Sequence, residues 1–141
     1  MAKLQIPLPE QLPFSTQLTV LIQHINRANH LANEHLIALL NEARSRYMQQ
    51  LEQQHPAFHA QNFINADLAI VYQSEAHHGD VLCIDVGAQD FSRYGCDIVY
   101  RVTQASNAKP VAIAKMAMLQ FDYTQQQLTP TPANFSQWFE I

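Results

Sequence analysis

Glycine is scarce in this chain: three residues in 141, Gly79, Gly87 and Gly95, and they do not cluster. Phosphate-cradling loops need grouped glycines so that backbone amides can close on the anion, so Walker and dinucleotide-binding readings are excluded. Charge is sparse too, at 14% of residues with a net charge of −4, and no Lys/Arg-rich stripe occurs. Nucleic acid is therefore not expected as a partner. The first fifteen residues hold three prolines and no continuous apolar run, which resembles neither a secretion signal nor a membrane span. A cytoplasmic protein with no membrane contact is expected.

Cysteine is limited to Cys83 and Cys96, with no CxxC pair for zinc or redox chemistry. A hairpin centred near Asp90 would pair Leu82 with Ile98 and Ile84 with Cys96, and would turn Cys83 to the other face. Both thiols are then expected to be free core-filling side chains. No Gly-x-Ser-x-Gly elbow is present, and neither cysteine stands at an expected helix start where its thiol would be activated. His77 and His78 are adjacent and would point to opposite faces of a strand, while His30 and His35 are spaced wrongly for one helix face. No metal site and no cofactor are expected.

What the chain does have is apolar material, 48% of residues, enough for one domain over 1–141 with its own core. Low charge beside that content points to outer surface covered by a second subunit. Gln17–Ile22 reads as a strand. From Asn33, a plausible N-cap with Glu34 in the first turn, apolar residues recur with helical spacing at Leu36, Leu40, Ala43, Tyr47 and Leu51 until Pro56. Four strand-like segments follow: 66–73, 80–86, 94–103 and 110–123. Short loops between them argue for an antiparallel sheet curled around the one long helix, an α+β architecture.

The segment NRANHLANEHLIALLNEAR, 26–44, resembles the signature of hotdog-fold proteins of the 4-hydroxybenzoyl-CoA thioesterase type. In that family Asp-x-x-Gly-His-x-x-Asn leads into a helix ending Glu-Ala-Arg. His30, Asn33 and Glu42-Ala43-Arg44 match in register, and ADLAIVYQSEAHHGDVL, SRYGCDIVYRV and AKMAMLQFDY look like the strands that follow. The resemblance implies a hotdog fold, a curled antiparallel five-stranded sheet wrapped around a central helix. It also implies hydrolysis of an acyl-CoA or acyl-carrier thioester at a subunit-interface site of a homodimer, or of a dimer of dimers. Two positions depart from the pattern: Asn29 replaces a common glycine, and Asn26 replaces the aspartate that acts as nucleophile or general base.

Thioester hydrolysis needs a group that attacks or activates water, together with donors for the oxyanion. Amides at the helix start near Asn33 can polarise a carbonyl whatever residue occupies position 26. Asn26 can orient a water but has no basic form near neutral pH, which leaves His30 to assist. Glu34 and Glu42 are alternative bases; their plainer roles are dipole compensation and a surface pair with Arg46. The resemblance places Ser92, Arg93 and Tyr94 near the acyl or pantetheine cleft, and Arg93, Arg101, Lys109 and Lys115 are candidates for the CoA phosphates. A non-hydrolytic acyl-thioester binder with a degenerate site is the alternative function. An enoyl-CoA hydratase is disfavoured, since that chemistry pairs an aspartate with its histidine.

Overall fold

The computed structural model describes residues 3–140. The helix α1 spans Asn33–Gln54 and buries Leu36, Leu39, Leu40, Ala43, Tyr47 and Leu51, the apolar face set by the helical period. Ala32, rather than Asn33, is its N-cap. The reason lies in the backbone: the Ala32 carbonyl accepts the His35 and Leu36 amides at 3.1 and 2.9 Å, and Ala32 N–H donates to His24 O at 3.0 Å. Asn33 is thus the first helical residue, with its side chain outside the capping position. At the other end the His55 amide closes on Leu51 O at 2.7 Å, and Pro56 starts a separate 3-10 turn over Pro56–Ala60.

The strands are β1 (Phe14–Thr19), β2 (Phe63–Tyr72), β3 (Val81–Gln89), β4 (Gly95–Gln104) and β5 (Pro110–Asp122), with a two-residue β6 (Gln127–Leu128) against the end of β5. Their order is β1-β3-β4-β5-β2, and every pairing is antiparallel. One long helix in the grip of a curled five-stranded antiparallel sheet is the hotdog fold.

Three expectations need correction. The first strand lies earlier than Gln17–Ile22, because Val20 leaves β1 to exchange hydrogen bonds with Gly79 and Asp80, and Ile22–His24 form a 3-10 turn. The second strand begins at Phe63, three residues before Ala66, with a register shift between Asn65 and Asp67 that leaves Ala66 unpaired, as in a bulge. In the β3–β4 hairpin, Leu82 faces Gln104, Ile84 faces Val102 and Ala88 faces Ile98, which moves the centre from Asp90 to Arg93.

The inner face of the sheet carries Leu82, Ile84 and Val86 of β3, Ile98, Tyr100 and Val102 of β4, and Ala112, Ala114, Met116 and Met118 of β5, all buried with α1 in one core. Val99 is fully buried as well, although its alternation places it on the outer face. The N-terminal segment crosses there: Arg101 donates to Pro9 O at 2.9 Å and Gln89 to Pro7 O at 2.7 Å. Gly87 makes room for it, since a Cβ there would meet Leu12 and Pro13 carbons at 2.9 Å. Aromatics plug the far end of the groove, where Phe135, Trp138 and Phe139 of a C-terminal 3-10 turn pack around Phe58, with Phe63 and Phe91 alongside.

Candidate active site

The loop that leads into α1 is built on Asn26. Its Oδ1 accepts the amides of Ala28 and His30 at 3.0 and 3.3 Å. Its own amide donates to His30 O at 2.9 Å, and its carbonyl accepts Asn29 N–H at 3.0 Å. Asn29 sits at φ 67°, the left-handed region that asparagine tolerates better than most residues, which explains how it stands in for glycine. An Ile25–Leu31 bridge closes the loop. His24 supports it from below: its Nδ1 accepts Leu21 N–H at 2.9 Å, and its ring stands 5.5 Å from that of His35. Burial, followed by the repulsion of His35, holds the His24 imidazole below its usual range.

The loop and the start of α1 form one wall of a cleft of about 320 Å³, contributing His30, Leu31, Asn33 and Leu36. The facing wall is the end of β2 and the turn beyond it, Tyr72 to Ala76, with Val111 of β5. Leu31 N–H donates to Ala76 O at 2.7 Å and fastens the two walls together. Among the described residues no acceptor meets the amides of Asn33 and Glu34, so two N–H groups at the positive end of the helix remain available.

His30 and Glu75 are the ionisable pair that meets across these walls. His30 Nδ1 lies 3.2 Å from Leu31 O, which only accepts, so Nδ1 carries a proton and Nε2 faces Glu75 Oε1 at 3.8 Å. The other Glu75 oxygen is 3.7 Å from His77 Nε2, and His77 Nδ1 is 3.9 Å from Asp80. Hydrogen bonds from the His77 amide, and then from the Gln104 side chain, hold the Asp80 carboxyl below the usual carboxylate range. These groups form an open chain, and among the described residues no three His, Cys, Asp or Glu side chains converge on a point where a metal ion would sit.

Of the residues singled out by sequence, His30 and Asn33 line the cleft, whereas Asn26 does not. Asn26 holds the loop that presents His30. Glu34 is exposed in the first helical turn, and Glu42 pairs with Arg46 at 2.8 Å while Arg46 also reaches Thr16. Neither glutamate lines the cleft. Ser92, Arg93 and Tyr94 form the β3–β4 turn, with the Arg93 guanidinium 5.5 Å from the Tyr94 ring centroid and Arg93 O accepting Thr131 N–H. That turn is at the opposite end of the sheet, since Gly95 pairs with Leu119 while the cleft begins at Val111. Eight residues of strand separate them, roughly 27 Å.

Arg101 is committed to the N-terminal segment, and Lys115 to Asp67 and Asp97 at 2.8 and 3.6 Å. Arg93 and Lys109 remain exposed, each in a turn. Both cysteines are free; burial, with a smaller contribution from Asp97, pushes the Cys96 thiol up to about 12, which removes it as a nucleophile. Glu75 and Ser74 escaped the sequence reading. The available signal was a polar run, QSEAHHGD, directly after a strand-like segment.

The thioesterase-like superfamily model matches residues 20–139, and the chain belongs to that family. Thioester hydrolysis is the general chemistry that membership supports. Among curated proteins no sequence matches it. Solved structures share its fold at low identity. A 1,4-dihydroxy-2-naphthoyl-CoA thioesterase from Synechocystis superposes with a TM-score of 0.77 at 16% identity, over 89% of this chain and 94% of the other. A thioesterase from Thermus thermophilus, solved with coenzyme A and zinc, gives 0.76 at 19% identity over 93% and 94%. A Staphylococcus aureus protein solved with CoA gives 0.76 at 16% identity over 95% and 85%.

Proposed function

We propose that this protein hydrolyses an acyl-CoA thioester to the free acid and CoA, as a single hotdog domain that works in a homodimer. The observation that carries the reading is the cleft at the start of α1, where His30 and Asn33 stand across from the turn after β2 and the amides of Asn33 and Glu34 meet no acceptor among the described residues. The amides of Asn33 and Glu34 would hold the carbonyl oxygen as it gains negative charge. Asn33 would touch the thioester, His30 would line the cleft beside it, and Asn26 would hold the loop that presents His30 through its two side-chain hydrogen bonds. CoA-bound structures of the same fold support CoA as the thiol carrier, with a carrier-protein thioester as the variant to test against it.

The dimer is argued from β2. It is an edge strand, and it leaves Leu68 at 39% and Tyr72 at 52% exposure. Such an edge calls for a partner strand. Antiparallel pairing of two β2 edges sets the Phe63 end of one against the Tyr72 end of the other. The partner's β3–β4 turn, with its Ser92, Arg93 and Tyr94, is thereby carried toward the cleft that the same turn cannot reach within one chain. Of the four candidate basic residues, Arg93 and Lys109 are then the two left free to meet CoA phosphates, and cytoplasmic acyl-CoA is the expected pool of substrate. Light scattering should report at least twice the chain mass; a monomer at micromolar concentration would remove the shared site.

The absence of a carboxylate at position 26 favours a second reading, an acyl-thioester binder that does not hydrolyse. Incubation of the purified protein with a panel of acyl-CoAs, with free-thiol release read beside thermal shift, separates the two. Release supports the hydrolase; stabilisation without release supports the binder; neither effect with CoA, but release from an acyl-carrier protein, reassigns the carrier.

A further inference from the structure

Hydrolysis at this cleft needs a proton acceptor for water, and position 26 offers only an amide. His30 is the first candidate, but its geometry argues otherwise. In a histidine base one ring nitrogen is oriented by a partner while the other faces the reactant. Here Nδ1 is taken by Leu31 O at 3.2 Å, and the remaining nitrogen points at Glu75 Oε1, 3.8 Å away. The imidazole therefore stands behind the carboxylate, and the carboxylate is the group left to face a bound molecule.

The placement of Glu75 is built rather than incidental. His30 and Glu75 are followed directly by Leu31 and Ala76, and those two residues share the 2.7 Å backbone hydrogen bond across the cleft. Ala76 is 2% exposed, so this anchor is embedded in the core while the carboxylate beside it projects from the wall. Ser74, on the other flank, is fixed through its hydroxyl to Pro110 O. His77 and Asp80 complete the set of ionisable groups around Glu75. His77 meets its second oxygen at 3.7 Å and is braced in turn by Asp80.

We propose that Glu75 is the general base of this site and that His30 is the positioning residue that orients its carboxylate; the inference rests on the hydrolase reading above. Glu75 takes one proton from water as the water oxygen bonds to the thioester carbonyl carbon. The carbonyl π pair moves onto oxygen, where the Asn33 and Glu34 amides receive it. The pair then returns, the carbon–sulfur bond breaks with its electrons on sulfur, and the thiolate takes the proton held by Glu75. One water and one thioester yield one carboxylic acid and one thiol, with Glu75 back in its starting state. The fold thus supplies from the turn after β2 the carboxylate that the loop before α1 lacks.

The test uses the full chain and the acyl-CoA that the wild type hydrolyses fastest. Glu75→Gln should lower kcat about a hundredfold or more with KM little changed, since general-base assistance is of that order. Glu140→Gln, an exposed charge near the C-terminus, should leave both constants alone. At 64% side-chain exposure Glu75 is open to substitution without unfolding. If Glu75→Gln nonetheless melts early, Glu75→Ala decides the matter: formate added to it should restore thiol release severalfold, which a purely structural role would not allow. Unchanged kcat in a folded Glu75→Gln, or no rescue by formate, overturns the assignment while the hydrolase reading stands. A wild-type protein that binds acyl-CoA but releases no thiol from any of them overturns both.

Discussion

Replacing Leu40 by alanine tests how α1 is packed into the sheet. Leu40 has no exposed surface and lies midway along the buried helix face, between Leu36 and Ala43. The substitution removes three carbons, about 2.4 kcal/mol of transfer free energy at the usual increment per methylene. The neighbours belong to a continuous core of helix and strand side chains, so only part of the void can collapse. The retained cavity raises the total to about 3–4 kcal/mol, inside the range for buried leucines. For a chain of this length that is a fall in Tm of about 6–16 °C. Urea or thermal unfolding at fixed protomer concentration measures it, because the proposed dimer would make apparent stability depend on concentration. Gln49→Ala, on the exposed face of the same helix, should stay within about 0.5 kcal/mol of the parent. Equal losses at both positions would refute the assignment of the buried face.

Asn26→Ala should loosen the loop before α1 and lower kcat, since Oδ1 holds two backbone amides whose loss costs about 1–3 kcal/mol; a hydrogen-exchange comparison of Ala28 and His30 reads the loosening directly. Asn26→Asp keeps an oxygen on those amides, so it should fold normally and, because position 26 lies outside the cleft, leave the rate of thiol release close to that of the parent. Gly95→Ala should be severely destabilising, because the added Cβ falls 1.9 Å from Met118 O and must push β4 from β5; a cooperative transition at the parental temperature would contradict the pairing. Acid should weaken the fold in two steps. The His24 value is depressed below 6.5, so the unfolded chain binds its proton first, and the associated stability, present above pH 6.5, is lost as pH falls through the lower folded value. The Asp80 value is depressed below 3.8, and its contribution, present above pH 3.8, disappears below that. Thermal melts across this range, with His24→Gln flattening the first step, check the assignment.

The core was legible in the sequence because alternation survives errors of register. The expected β3–β4 hairpin paired Leu82 with Ile98, whereas the structure pairs it with Gln104, a slip of six residues. An even slip leaves every side chain on its own face, so Ile84, Ile98 and Val102 enter the core under either register. What misled the sequence reading was Gly87–Gln89, a stretch with turn-forming composition. It continues β3 because the N-terminal segment packs over Gly87 and Gln89 donates to Pro7 O, contacts between residues some eighty positions apart. The C-terminal aromatic turn was missed for a related reason: Phe135, Trp138 and Phe139 pack on one another and on Phe58, which stands far off in sequence in the turn after α1.

The site divides along the same line. His30 and Asn33 could be found because the loop and the helix start are one continuous segment whose spacing is itself the signal. Glu75 could not, because its meeting with His30 depends on how β2 is seated on β5. Tyr72 pairs with Ala112, and Gln73 N–H and Ser74 N–H both reach Val111 O, so the chain leaves the sheet beside Val111 and crosses to Leu31 at Ala76. One residue more or less between Tyr72 and Ala76 would turn the carboxylate away from His30 while leaving the sheet intact. With Glu75 as the proposed base, catalytic competence at this cleft would be controlled by the length and anchoring of the turn after β2. Inserting a single glycine between Gln73 and Ser74 should accordingly abolish thiol release and preserve the cooperative melt, whereas unaltered turnover in that variant would mean that the carboxylate plays no part in the reaction.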